Sequence, residues 1–69
     1  MTPQEVYDYY ENGYRFAKKT GMAQSNMVYW FKRGYVPINS QAKLHRLTNG
    51  KLKIDLDLTI VEEENHEDK

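Results

Sequence analysis

Between Asn12 and Ile54 the chain carries nine cationic side chains and no acid. They are Arg15, Lys18, Lys19, Lys32, Arg33, Lys43, Arg46, Lys51 and Lys53. The acids stand outside: Glu5, Asp8 and Glu11 before the block, and seven more from Asp55 onward, where Lys69 is the one added cation. The formal net charge of zero is thus the sum of −3, +9 and −6. Cations without internal counter-ions make a surface suited to a polyanion, and nucleic acid is the commonest one.

Other chemistries find little support. Cysteine is absent, which excludes disulfides and thiolate metal or redox sites. His45 and His66 lack any supporting ligand pattern, so no metal site is expected. No Ser/His/Asp set or phosphate loop suggests an enzyme, and neither a cofactor nor a small-molecule ligand is expected. No apolar run approaches the roughly 20 residues of a membrane span, and the N-terminus has no basic-then-apolar signal. A soluble cytoplasmic protein with no membrane partner follows as the expectation. Sixty-nine residues allow one small domain, marginal alone unless stapled or oligomeric.

The elements that must position the block are short helices. Thr2-Pro3-Gln4-Glu5 combines a cap, a proline suited to the first turn and a capping-box glutamate, and predicts a helix to about Tyr10. Asn12 offers a second N-cap, for a helix over 14–20 that stops at Gly21. A third spans about Gln24 to Arg33 and stops at Gly34. Val36-Pro37 forces an extended link. Asn39 or Ser40 then caps a fourth helix, which ends near Thr48 with Gly50 as its stop. Beyond it Leu52, Ile54, Leu56, Leu58 and Ile60 alternate with polar residues, the period of a half-buried strand. The acidic stretch 62–69 reads as a disordered tail.

The second and third helices, joined through Gly21, have the pattern of a helix-turn-helix. Ala17 is small where the helices approach, and Phe16, Met22, Met27 and Trp30, with Phe31, are expected to face the core. The run Gly21-Met22-x4-Met27-x2-Trp30-Phe31-x2-Gly34-x-Val36-Pro37, followed by Ala42-x-Leu44-x2-Leu47-Thr48-x-Gly50, resembles the Cro-type repressors of lambdoid phages. It is also similar to small bacterial and prophage regulators of the YdaS and DicC type. The likeness covers about residues 6–54. It implies a mainly α, four-to-five-helix, lambda-repressor-like helix-turn-helix domain over 1–54, of the all-α rather than the sheet-containing branch. It also implies a transcriptional repressor that binds double-stranded operator DNA, usually as a homodimer. The strand-like segment 52–61 departs from that pattern and is a candidate dimerisation element.

In the docking geometry of such motifs the third helix enters the major groove. With Met27 and Trp30 inward, Gln24, Ser25, Val28 and Tyr29 are left as base readers, with Asn26 at the margin. Gln24 can donate to and accept from an adenine edge, Ser25 can bond either way, and Val28 suits a thymine methyl. Phosphate contacts are expected from Asn12 and Tyr14 at the start of the second helix, where free amides favour an anion. Arg15, Lys32, Arg33, Asn39, Ser40 and Lys43 complete that set. Ala23, at the N-cap of the third helix, lacks the side-chain oxygen usual there. The competing reading is an antitoxin-type DNA-binding protein whose C-terminal segment adds a strand to a protein partner.

Overall fold

The computed structural model describes residues 1–56, folded into α1 (Pro3–Tyr10), α2 (Gly13–Thr20), α3 (Gln24–Arg33) and α4 (Ile38–Leu47). Four of these boundaries follow local chemistry. Thr2 Oγ1 accepts from the Glu5 amide at 3.1 Å while the Glu5 carboxylate accepts from the Thr2 amide at 2.8 Å, a complete capping box around Pro3. Asn12 Oδ1 accepts from the Arg15 amide at 2.8 Å and opens α2. Gly21 and Gly34 end α2 and α3 with φ of 77° and 88°, a left-handed turn that costs glycine little.

α4 begins earlier than the sequence suggests. Pro37, not Asn39 or Ser40, is its N-cap, and no side chain caps it. The proline carries an extended backbone up to the first turn, and its carbonyl accepts from the Gln41 amide at 2.9 Å. Asn39 and Ser40 therefore lie inside the helix. At the other end the buried Thr48 hydroxyl donates to the Leu44 carbonyl at 2.8 Å and accepts from the Leu52 amide at 3.1 Å. Asn49 and Gly50, both with positive φ, turn the chain back beneath it.

α1 packs on α2 and α3, and α2 on α3. Val6, Phe16, Val36 and Leu44 are wholly buried, with Met22, Met27, Trp30 and Leu52 around them. A series of edge-to-face aromatic contacts crosses this core from Tyr9 through Tyr10 and Phe16 to Trp30, with centroid separations of 4.9, 5.6 and 5.5 Å. Tyr10 is buried, whereas Tyr7 and Tyr9 are substantially exposed. Phe31, expected inside, is 44% exposed and sits edge-on against Tyr7 at 6.1 Å. Trp30 and Met27 already fill the inward face of α3, which leaves Phe31 to cover the flank of α1.

No strand occurs among the described residues. Of the alternating segment, Leu52 is buried, Ile54 half-buried and Leu56 87% exposed; the remainder, 57–61, and the tail 62–69 lie outside the described residues. A strand needs a ladder, and here the backbone finds other partners. The Met1 ammonium donates to the Lys53 carbonyl at 2.7 Å and to Gln41 Oε1 at 2.9 Å. The Asp55 amide donates to the same Gln41 oxygen at 2.8 Å, and His45 Nδ1 lies 2.9 Å from the Leu52 carbonyl. Gln41, fully buried, also donates from Nε2 to the Val36 carbonyl at 2.8 Å. One side chain thus ties together the N-terminus, the entry to α4 and residues 53–55.

Candidate nucleic-acid interface

The packing of α3 fixes which of its side chains meet solvent. Burial of Met27 and Trp30 leaves Gln24, Ser25, Val28, Tyr29 and Lys32 exposed, while Asn26 is half-buried. The outward face presents an amide, a hydroxyl, a branched alkyl group and a phenol in succession. Val28 is 53% and Tyr29 46% exposed, and with Ser25 and Lys32 they line an open, shallow recess. The recess mixes apolar walls with hydrogen-bonding rims, a surface able to meet both a methyl group and a polar edge. Arg33 holds its guanidinium over the Tyr29 ring, 5.4 Å from the centroid, which restrains that phenol.

The flanking positions fall on three helix segments. Asn12 and Tyr14 stand exposed at the α2 N-terminus, where the first amides have no partner within the helix. The Asn12 side-chain oxygen is already engaged in capping, so the backbone and the amide nitrogen are what remain for an anion. Arg15, one turn on, forms an i,i+4 ion pair with Glu11. That pair is exposed on both sides and exchanges readily for another anion. Lys18 lies 5.7 Å from the Tyr14 ring centroid. Lys32 and Arg33 close α3, and Asn39 and Lys43 are exposed on α4.

Ser40, expected among the phosphate contacts, does not reach the surface. It is 1% exposed, packed into the first turn of α4 beside Gln41, and has no surface to offer a phosphate. The earlier start of the helix carries it onto the inward face. All nine cations of the acid-free block, by contrast, are exposed. None is spent inside the core, so all nine reach the surface, where Arg15 meets Glu11 from the preceding acidic stretch.

Sequence reasoning missed one contact at this site. The Gln24 side chain lies back across Gly13, the first residue of α2, so closely that a methyl there would stand 2.8 Å from Nε2 and 3.0 Å from Cγ. No sequence pattern marked it, since Gly13 stands before the expected helix over 14–20 and only the structure makes it the first residue of α2. Among the described residues no cluster of three or more His, Cys, Asp or Glu could hold a metal, and no helix is long and apolar enough to cross a membrane.

The arrangement defines a helix-turn-helix fold: α2, the Gly21 turn, and an α3 whose outer face is free. No family model matches the chain, and no curated protein matches it. Among solved structures it is similar to N15 Cro complexed with consensus operator DNA, with a TM-score of 0.77 and 24% sequence identity over 83% of this chain and 90% of that one. The two chains share a fold over nearly the whole of both.

Proposed function

We propose that this chain is a sequence-specific double-stranded DNA-binding regulator, a Cro-like repressor without catalytic activity that acts in the cytoplasm by occupying an operator. The observation that carries the reading is the outer face of α3. Its exposed amide, hydroxyl and alkyl groups sit between exposed cations, in a fold shared with a Cro complexed with operator DNA. Gln24, Ser25, Val28 and Tyr29 read base edges in the major groove, with Asn26 at the margin. The α2 amides at Asn12 and Tyr14, together with Arg15, Lys32, Arg33, Asn39 and Lys43, hold the phosphates on either side.

Two copies bind a two-fold site, with their α3 helices about one DNA turn, roughly 34 Å, apart. Segment 52–61 contributes to that pairing beyond the part, residues 52–55, that is already held within the domain. Leu56, 87% exposed at the end of the described chain, supports this assignment, because an apolar side chain left in water favours a partner.

Selection from a random duplex library, followed by titration across salt, tests the reading. A two-fold consensus should emerge, and log affinity should fall linearly with log salt by about 0.9 per phosphate neutralised. Gln24→Ala should relax preference at one base pair per half-site by about 1–3 kcal/mol, while Lys43→Ala weakens all duplexes alike and flattens the salt slope. Affinity indifferent to salt, or a library that returns no consensus, overturns the proposal.

A further inference from the structure

Gly13 stands at the head of α2 in ordinary helical backbone; the positive-φ glycines among the described residues are Gly21, Gly34 and Gly50. Nothing in its torsions calls for glycine, which is a poor helix residue compared with alanine. What calls for it is Gln24. A methyl at Gly13 would lie 2.8 Å from Gln24 Nε2, 3.0 Å from Cγ and 3.2 Å from Cδ, three successive parts of one side chain. The first of these separations is closer than a carbon and an amide nitrogen can stand, so the amide would have to move.

We infer that Gly13 is a positioning residue for base recognition: by lacking a side chain it forms the seat on which Gln24 lies, and it thereby sets where the Gln24 amide meets the DNA. The inference rests on the DNA-reading function proposed above. Gln24 is exposed, and a solvated glutamine samples many rotamers unless a neighbour limits it. The first residue of α2 supplies a floor beneath the stem and the amide, which holds the side chain before DNA arrives. Preorganisation of this kind favours the base edge that fits the held geometry over those that do not. Any side chain at position 13 removes the floor and changes specificity without itself touching a base.

The experiment combines Gly13→Ala, Gln24→Ala and the double variant. In the free protein, the side-chain amide resonances of Gln24 should move in Gly13→Ala while circular dichroism keeps the wild-type helicity. In selections and direct binding, Gly13→Ala should lower discrimination about tenfold at the same base pair that Gln24→Ala relaxes. That loss should exceed any change in affinity for random duplex. In the Gln24→Ala background, Gly13→Ala should change that base pair no further.

A Gln24 amide that does not move, or a uniform loss on all duplexes accompanied by a lower melting temperature, overturns the inference, since both describe an ordinary helix substitution. A relaxed Gln24→Ala beside an inert Gly13→Ala overturns the positioning role alone. A Gln24→Ala that leaves base preference intact overturns the DNA-reading assignment of Gln24 and the positioning role with it.

Discussion

Replacing Gln41 by Leu should cost this domain most of its stability. The side chain is wholly buried and makes three hydrogen bonds. Its oxygen accepts from the Met1 ammonium at 2.9 Å and from the Asp55 amide at 2.8 Å. Its nitrogen donates to the Val36 carbonyl at 2.8 Å. Leucine has nearly the same volume but no polar atom, so the substitution isolates the polar term. Each bond is worth about 1 kcal/mol net, the one to an ammonium more, and partners left buried without it cost about 1–3 kcal/mol each. The Met1 ammonium keeps the Lys53 carbonyl at 2.7 Å, which tempers its share. A total of about 3–5 kcal/mol follows.

That loss matters because a single core of this size rarely supplies more than about 3–5 kcal/mol in all. At about 4–8 °C per kcal/mol for a chain of this length, Gln41→Leu should melt roughly 12–40 °C lower, or be unfolded at room temperature. Thermal and urea unfolding followed by helical circular dichroism would measure it. Hydrogen exchange adds a local readout: the Asp55 amide, held by Gln41 in the wild type, should exchange faster in any folded fraction of the variant. A midpoint within a few degrees of wild type, with Asp55 still protected, would refute the idea that this amide closes the domain.

Two further substitutions test the helix ends and the core. Ala23→Ser should stabilise the protein by about 1 kcal/mol, read as a rise in melting temperature, because residue 23 already has the extended N-cap backbone (φ −66°, ψ 140°) and lacks only the oxygen. An unchanged melting temperature would mean that the first amides of α3 are satisfied some other way. Burial, with a smaller contribution from the neighbouring Tyr9, raises the Tyr10 phenol above its ordinary 10.0. A raised folded value stabilises fully below the unfolded value and loses that contribution as pH climbs through the folded one. Tyr10→Phe should therefore gain on the wild type as pH rises above about 10, in melts recorded across alkaline pH, and a constant difference between the two would count against the shift.

The parts of the fold that were legible are those decided within one turn of chain. The capping box joins residues three apart, and the Asn12 cap spans the same distance. Gly21 and Gly34 stop their helices through their own torsions. Inward positions on α2 and α3 followed from helical spacing because Phe16, Met27 and Trp30 are large, apolar and regularly placed. Phe31 went astray on the same logic: periodicity says which residues could be buried, and only the neighbouring helix decides where the boundary of the face falls. The start of α4 also depended on tertiary contacts. Its entry is fastened by Gln41, whose oxygen meets a terminus forty positions away in the chain, and no local pattern carries that information. The same bonds explain why residues 52–55 need no strand partner despite their alternation.

The candidate interface was more legible than the core, for a physical reason. A residue that meets a polyanion keeps its charge in water until the partner arrives, so packing does not hide its purpose. Nine exposed cations and an acid-free block are two views of one constraint. Ser40 was misplaced because a small polar side chain serves equally well at a helix end or within a helix, where it can bond to its own backbone. Gly13 was silent for the opposite reason. A missing side chain leaves no chemical trace in a sequence, and its use became visible only once α3 had laid Gln24 across it. On the proposed reading, specificity in so small a domain would depend on two kinds of position, those that present hydrogen-bonding groups and those that, by being empty, determine where such groups can rest.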